Sequence, residues 1–330
     1  MISRFFGILS AFLLSALLAP ASAQTTADQS KLSAIILGSG SPQYNPDRAG
    51  PSVLITYGDT KIIVDTGNGA QASLNEANVP IRDLDGLFFT HHHLDHNEEF
   101  IPIFIRSLLG GNAFQLAGPA PMTAMTQSTV NLYKDDIEYR MRRSGRTLAD
   151  VQGNYAIKEL VGGESWTVGD IKITTAKVDH TIATTAYRFD AAGQSIVISG
   201  DLVYSASLSE LAKGADYLII DSGGTIRSGG TQRRGQRRQQ GEGQRRGQGG
   251  QARQSRAVRG QGDGQSKQGG RERAHVTLEE TARMASEAGV KNLVMTHFTG
   301  GEIDEAATAA ELRKGYSGTI IFAEDLMQLP

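Results

Sequence analysis

The chain has 330 residues, which suffices for one large domain or two small ones, and its 39% hydrophobic residues can bury a substantial core. It contains no cysteine, which excludes disulfide bonds and attachment to a membrane through a lipidated cysteine. The formal net charge of −2 hides a strong asymmetry, because one basic segment lies within an otherwise acidic chain. Stability must therefore come from the core and from any bound metal.

The first 23 residues are typical of a secretory signal peptide. Arg4 supplies a positive charge, residues 5–18 supply an apolar stretch, and residues 21–23 (Ala-Ser-Ala) form a small-residue cleavage site. Residues 24–32 would then form a linker. The apolar stretch is too short to span a bilayer comfortably, so a retained anchor is the less favoured alternative. We therefore expect a periplasmic or secreted protein with no membrane span after processing.

The remaining chain, residues 33–330, alternates between short strands and helices. Branched apolar runs predict strands at 33–37, 53–57, 61–64, 87–89, 171–178, 186–189, 195–198, 217–220, 293–295 and 319–322. Helical patterns predict helices at 69–78, 128–143 and 277–288, and residues 98–150 are mostly helical by pattern. Thr277 and Glu280 form a capping box at the start of the last helix, and Gly289 ends it. This alternation predicts an α/β sandwich.

Residues 227–273 interrupt that alternation with a segment rich in Arg, Gln and Gly. It carries twelve arginines and one lysine against three acidic residues, a net charge of +10. Because almost nothing in it is apolar, burial cannot compensate for the entropy of ordering, and we expect a disordered insert. It is either a tolerated, solvated loop or an arm that contacts polyanions. It lacks the interleaved aromatic residues that base recognition needs.

The turn after the strand 87–89 concentrates metal-ligating side chains. Residues 91–96 read His-His-His-Leu-Asp-His, which is an H-x-H-x-D-H motif. Imidazole is the usual ligand for zinc-like ions, and a carboxylate adds a harder oxygen donor. Four donors (His91, His93, Asp95 and His96) in six positions can serve two metal ions. A solvated histidine tract is disfavoured, because the motif directly follows an apolar strand.

Three further ligand-type residues lie just after predicted strands. His180 follows the strand 171–178, Asp201 follows 195–198, and His297 follows 293–295. A single histidine at a strand end is more often structural. Three such ends together with the H-x-H-x-D-H motif instead predict a metal site at the rim of a sheet.

The chain resembles the metallo-β-lactamase fold superfamily from residue 33 to the C-terminus, apart from the basic insert. The H-x-H-x-D-H motif carries the resemblance, together with residues 37–42 (Leu-Gly-Ser-Gly-Ser-Pro) and the segment ending in Leu-Val-Met-Thr-His-Phe at 293–298. Within the superfamily, the likeness is to the ribonuclease Z and arylsulfatase-like branch. The resemblance implies a four-layer αβ/βα sandwich with the site at one edge of its two sheets.

The resemblance also implies which residues hold two divalent metal ions. His91, His93 and His180 would hold the first, whereas Asp95, His96 and His297 would hold the second, with Asp201 bridging them. Zinc is the first choice because imidazole suits it, and the two Asp ligands leave manganese or iron open. Two metals can share a water and lower its pKa to about 7, and this gives a bridging hydroxide that attacks phosphorus, sulfur or a carbonyl.

Three residues of the motif and its surroundings receive further roles from the same resemblance, and His92 receives one from the shape of an extended turn. Asp95 counts as catalytic as well as a ligand. His275 would act as a general acid or as a hydrogen-bond donor to the leaving oxygen, the alternative being a residue that only begins the helix. Asp65 would support the histidine turn without binding metal. We expect His92 to contact the ligands from outside or to be solvated.

Two departures argue against tRNA maturation. The strand 217–220 is followed by Asp221 and Ser222, where tRNA-processing members carry a histidine-glutamate pair. Only twenty residues separate His180 from Asp201, too few for those members' tRNA-binding arm. We therefore expect an exported hydrolase of a small anionic ester, a sulfate or phosphate, similar to the arylsulfatase-like members. The alternatives are a lactone or β-lactam hydrolase, a ribonuclease Z-like phosphodiesterase, and a polyanion-binding protein whose metal core is structural.

Overall fold

The computed structural model describes residues 30–228 and 273–330. The predicted signal peptide 1–23, most of the linker 24–32, and residues 229–272 of the predicted insert lie outside these ranges. No helix in the two described ranges combines the length and the apolar character needed to cross a membrane.

The first sheet is mixed. Within the described ranges its strands are β1 (Ser33–Gly38), β2 (Ser52–Tyr57), β3 (Thr60–Val64), β4 (Gly86–Phe88), β5 (Phe114–Pro119), β6 (Tyr155–Leu160) and β14 (Met327–Leu329). Their order across the sheet is β14-β1-β2-β3-β4-β5-β6. The strands from β14 to β3 pair antiparallel, and those from β3 to β6 pair parallel.

The second sheet repeats this arrangement. Its described strands are β7 (Ser165–Val168), β8 (Ile171–Val178), β9 (Thr184–Ala191), β10 (Gln194–Ile198), β11 (Tyr217–Asp221), β12 (Asn292–Thr296) and β13 (Thr319–Phe322). Their order is β13-β12-β11-β10-β9-β8-β7. The strands from β7 to β10 pair antiparallel, and those from β10 to β13 pair parallel.

Helices cover the outer face of each sheet. The helices are α1 (Ala70–Glu76), a short 3-10 helix (Ile81–Asp83), α2 (Leu94–Asn97), α3 (Phe100–Gly110), α4 (Met122–Leu132), α5 (Lys134–Arg143), α6 (Leu148–Gln152), α7 (Ala206–Leu211), α8 (Leu278–Ala288) and α9 (Glu305–Leu312). Buried residues of α1 and α3–α6 pack with one face of the first sheet. Buried residues of α7–α9 pack with the second sheet.

Alternation along the strands assigns side chains to two separate apolar layers. In β1, Ile36 points into the layer between the sheets, and its neighbour Leu37 points towards the helices. Phe88 of β4 crosses the central layer and stacks on Tyr187 and Phe189, with ring centroids 5.7 and 6.5 Å away. The predicted four-layer αβ/βα sandwich is therefore confirmed.

The strand directions bring the predicted site together at one edge. Parallel strands end at the same side of a sheet. In the second sheet, the strands that end at this edge are β8, β10, β11 and β12. Strand β4 of the first sheet ends at the same edge. The H-x-H-x-D-H turn, His180, Asp201 and His297 follow four of these ends.

Several predicted elements were wrong between residues 98 and 168. The segment expected to be mostly helical contains β5, and the helix expected at 128–143 is broken at Tyr133, where φ is −102° and ψ is 13°. Strands β6, β7 and β14 were not predicted. The sequence of β5 includes Gly118 and Pro119, which are poor strand formers, and its pairing with β4 and β6 compensates for them. The capping box that starts α8 was predicted and is present.

Candidate metal centre

Three imidazoles and one carboxylate form the first donor set. The Nδ1 atom of His93 lies 3.0 Å from His91 Nε2 and 3.2 Å from His180 Nε2. The Oδ2 atom of Asp201 lies 3.9 Å from His91 Nε2 and 4.0 Å from His180 Nε2. These four atoms lie within 4.8 Å of one another and come from three chain segments, the turn after β4, the end of β8 and the end of β10.

Two imidazoles and two carboxylates form the second donor set. His96 Nε2 lies 3.5 Å from Asp95 Oδ2 and 3.5 Å from Asp201 Oδ1. His297 Nε2 lies 3.3 Å from Asp95 Oδ2 and 3.5 Å from Asp201 Oδ1. Asp201 thus presents a different oxygen to each set, which is the arrangement of a bridging carboxylate.

The spacing and the hydrogen-bonding state of these atoms fit metal ions. Four ligands about 2.0 Å from a tetrahedral zinc ion lie about 3.3 Å from one another. In the second set, the separations between imidazole nitrogens and carboxylate oxygens are 3.3–3.5 Å. His96 Nε2 is buried and has no hydrogen-bond partner, although such an atom normally has one. A metal ion would satisfy it.

The carboxylate of Asp65 supports both sets from outside. One oxygen accepts from the Thr90 N–H at 2.8 Å, and the other accepts from Thr90 Oγ1 at 2.8 Å and His96 Nδ1 at 2.9 Å. Thr90 Oγ1 in turn accepts from His91 Nδ1 at 3.0 Å. These bonds leave Nε2 of His91 and His96 free to face the donor sets, as expected for a supporting carboxylate.

The other two ligands of the first set have external partners as well. His93 Nε2 donates to Thr181 Oγ1 at 3.3 Å, and His180 Nδ1 donates to the Ala274 carbonyl at 2.8 Å. Each bond fixes which nitrogen faces the site. The contact with Ala274 also places the start of the 273–330 segment directly beside the donors.

His92 belongs to the motif but not to either donor set. Its Nε2 donates to the Pro119 carbonyl at 2.9 Å, and its ring stacks on Phe89 with centroids 5.9 Å apart. Burial lowers its pKa, so the ring is neutral at pH 7. The expectation of a solvated or ligand-supporting residue was wrong, because the turn directs this side chain back against β5.

His275 lies beside the donors and is paired with Asp221. Its Nδ1 donates to Asp221 Oδ2 at 2.7 Å and lies 3.9 Å from Asp201 Oδ2. The bond to Asp221 raises the pKa of His275 above its usual value. The other Asp221 oxygen is buried and lies 3.6 Å from Nδ1 of His297. In the sequence, Asp221 stands out only because tRNA-processing members carry a histidine-glutamate pair there. Its position at the end of β11, like that of the donors after other strands, indicates a role at the site.

In the metal-free protein, the donor histidines differ in the direction in which their pKa values are shifted. Burial lowers the pKa of His91 far below its usual value, so this ring is neutral and ready to bind a metal. Burial also opposes protonation of His96 and His297, but the neighbouring carboxylates, Asp201 foremost, together outweigh it and raise both pKa values, that of His297 to about 10. The same histidines hold the pKa of Asp201 well below its usual range despite its burial.

The two packed sheets and the His/Asp clusters at their shared edge define a metal-dependent hydrolase of the metallo-β-lactamase fold. Comparison with known proteins places the chain in the ribonuclease Z branch of that superfamily. The chain belongs to the family described as "Anti-Pycsar protein Apyc1", which matches residues 32–228. It is also 32% identical over 193 residues to ribonuclease Z of Mycobacterium bovis, covering 56% of this chain and 68% of that protein.

Solved structures show the same fold at lower identity. The metallo-β-lactamase fold protein YhfI from Bacillus subtilis is similar with a TM-score of 0.64 and 18% identity, covering 90% of this chain and 98% of that one. Zn²⁺-bound PqqB from Methylobacterium extorquens is similar with a TM-score of 0.60 and 15% identity, covering 90% and 99%. These likenesses agree with the four layers described above.

Proposed function

We propose that this chain is an exported phosphodiesterase that uses two zinc ions to hydrolyse a small phosphate ester. The observation that carries the proposal is the pair of donor sets that share Asp201. Neighbouring donors lie 3.0–4.0 Å apart in the first set, and imidazole nitrogens lie 3.3–3.5 Å from carboxylate oxygens in the second. Export is proposed from the signal-like residues 1–23 alone.

Zinc is the metal that the donor chemistry supports best. The first set offers three imidazoles and one carboxylate, and the second offers two imidazoles and the Asp95 carboxylate. Asp201 adds a second carboxylate oxygen 3.5 Å from each imidazole of the second set. Imidazole-rich tetrahedral sites favour zinc, whereas the two carboxylates of the second set would also accept manganese or iron. The Zn²⁺-bound state of PqqB supports the same choice for a chain of this fold.

The residues around the metals have distinct tasks in ester hydrolysis. Two metal ions held there would supply Lewis-acid activation of a water and of the ester oxygens. His91, His93 and His180 would hold one metal, Asp95, His96 and His297 the other, with Asp201 between them. The hydrogen bond to Asp221 stabilises the charged form of His275 and raises its pKa, so His275 would donate a proton to the leaving oxygen.

The phosphate ester is favoured over the sulfate ester by the ribonuclease Z relative, whose substrate is a phosphodiester. Between His180 and Asp201 the chain forms only a tight hairpin, β9 and β10, with a turn at residues 192–193. This hairpin leaves no arm for gripping a folded RNA. We therefore propose a small anionic ester as the substrate.

We propose a separate contact with polyanions through the basic segment. Twelve arginines within residues 227–273 supply a strong positive charge. The backbone of Arg227 forms an isolated β-bridge with Ile303, and the Ala274 carbonyl accepts a hydrogen bond from His180. The two described flanks of the segment therefore adjoin the metal edge. A polyanion attracted by the segment would lie near the site.

A panel of chromogenic substrates tests the proposal. Zinc-loaded protein is expected to cleave bis(p-nitrophenyl) phosphate in preference to p-nitrophenyl sulfate, p-nitrophenyl phosphate, a lactone and a cephalosporin. Asp95→Ala should lower kcat/KM on the order of 10²-fold or more, because loss of outer partners of metal ligands already costs 10–100-fold. Asp59→Ala, an exposed aspartate in the β2–β3 turn at the opposite edge, is the matched control.

Deletion of residues 229–272 should leave turnover of the small diester unchanged while abolishing salt-sensitive binding to heparin. Preference for the sulfate ester would overturn the assignment of the ester. Zinc-loaded protein that is inert on every substrate would overturn the proposed hydrolase activity on these esters.

A further inference from the structure

The last residue of the second donor set occupies strained backbone. His297 has φ of +63°, a left-handed conformation that residues other than glycine rarely adopt. Such a conformation persists only where the surroundings enforce it. The enforcing bonds flank the residue. Ser222 Oγ donates to the His297 carbonyl at 3.1 Å, and the Phe298 N–H donates to the Ser39 carbonyl at 2.8 Å.

Ser39 is itself fixed by Asp325, five positions before Pro330. Asp325 Oδ1 accepts from the Ser39 N–H at 2.8 Å and from Ser39 Oγ at 2.7 Å, and its Oδ2 accepts from the Ala49 N–H at 2.5 Å. Hydrogen bonds to a charged carboxylate are stronger than neutral ones. Asp325 therefore holds both ends of the loop between β1 and β2.

Arg48 completes the arrangement. Its guanidinium donates to Ser39 Oγ at 2.5 Å and to the Ala323 carbonyl at 2.8 Å, and it lies over the Phe298 ring, 4.8 Å from the centroid. Asp325 lies on the crossover from β13 in the second sheet to β14 in the first, at the metal edge. The group Ser39, Arg48, Phe298 and Asp325, here termed the C-terminal clamp, thus joins both sheets next to His297.

We infer that Asp325 is a positioning residue for the metal ligand His297. It acts through Ser39 and Phe298, which keep His297 in the left-handed conformation that directs Nε2 at Asp95 and Asp201. The inference rests on the proposed metal site, and it adds a residue, Asp325, that affects the second donor set through His297. Among the described residues, the three histidines of the first donor set have no hydrogen bond to the clamp; their partners are one another, Thr90, Thr181 and the Ala274 carbonyl.

Calorimetric titration of metal-free full-length protein with zinc tests the inference. Asp325→Asn should weaken one of the two zinc sites by about 10–100-fold, the cost of losing an outer partner of a ligand, and leave the other unchanged. In the metal-free protein, the same variant should shift the ring resonances of His297 in histidine-selective ¹⁵N NMR and leave those of His91 in place. Asp325→Glu should restore part of the lost affinity.

Asp216→Asn is the matched control. Asp216 makes the same pair of bonds, from the N–H and Oγ of Ser195 at 2.8 and 3.3 Å, but at the opposite end of the second sheet. It should change neither zinc site. Equal weakening of both sites by Asp325→Asn, or the same loss in Asp216→Asn, would overturn the positioning role.

If the Asp325→Asn protein does not fold, the milder substitution Ser39→Ala serves as the test. It should weaken the same zinc site to a smaller extent. Unchanged zinc affinity in a folded Ser39→Ala protein would overturn the inference. If the wild-type protein binds no zinc, the proposed function fails by itself. The NMR shift at His297 still decides whether the clamp sets the conformation of that residue.

Discussion

Asp201 is the residue at which the two donor sets meet. The residue is 3% exposed, and its carboxylate lies within 4.0 Å of five imidazoles, those of His91, His96, His180, His275 and His297. A buried charge is costly unless it is paired. In the metal-free protein, protonated His96 and His297 provide that pairing, because Asp201 raises the pKa of both rings. Metal ions and protons therefore compete for the same buried charge.

The pairing of His275 with Asp221 predicts a specific pH dependence. A general acid acts only while protonated, and the raised pKa of His275 keeps it protonated above its usual range. Activity should therefore fall as pH rises through that pKa. In zinc-saturated Asp221→Asn the pKa should drop, and the alkaline limb of the pH–rate profile should move to lower pH.

His275→Ala should slow cleavage of a dinucleoside monophosphate by about 10²–10⁴-fold, the usual contribution of a general acid. Bis(p-nitrophenyl) phosphate should be affected much less, because p-nitrophenolate leaves without protonation. His92→Ala is the control, since its ring faces Pro119 and not the donor sets. Equal losses on the two substrates would exclude His275 as the acid.

The residues that follow a strand could be read from the sequence, and those that act through long-range contacts could not. His180, Asp201 and His297 each stand just after an apolar run, so the topology brings them together. Asp325 contacts Ser39, 286 positions away, and no local pattern marks it. The role of Asp221 depends on the position of His275, which only the folded chain fixes.

At the scale of elements, β4 links the core to the metal edge. Phe88 packs in the central layer against Trp166, Tyr187 and Phe189, and the donor turn begins three residues later. Phe88→Ala should lower the free energy of unfolding by about 3–5 kcal/mol, as is usual for a buried phenylalanine. Urea denaturation of the metal-free protein measures this loss.

Tyr139→Ala, on the outer helix α5 with 53% of the side chain exposed, should change the free energy of unfolding by about 0.5 kcal/mol or less. A similar loss in both variants would contradict the assignment of Phe88 to the central layer.

Elements were predictable where local pattern and tertiary pairing agree. Strands β8, β10 and β11 are rich in branched residues, and helix α8 has a capping box and a glycine end. Strand β6, Tyr-Ala-Ile-Lys-Glu-Leu, is an edge strand with two charged residues, so its pattern resembles that of a helix surface. Its pairing with β5 along the whole strand overrides that local preference.

At the scale of the whole molecule, the fold creates the site by bringing strand ends from two sheets to one edge. The ligands come from the first sheet through the turn after β4 and from the second through β8, β10 and β12. The sandwich was predicted from the alternation of elements and from the family resemblance, and the structure confirms it. The role of the basic segment stays a prediction, because residues 229–272 lie outside the described ranges.

The number of zinc ions that the metal-free protein binds tests the central proposal most directly. Calorimetric titration at pH 7 should show two equivalents per chain with release of protons, because His96 and His297 must lose theirs to bind metal. Apparent affinity should rise with pH towards the His297 pKa of about 10, and diesterase activity should appear with the second equivalent. Saturation at one equivalent or none, or binding of two without diesterase activity, would contradict the two-metal phosphodiesterase.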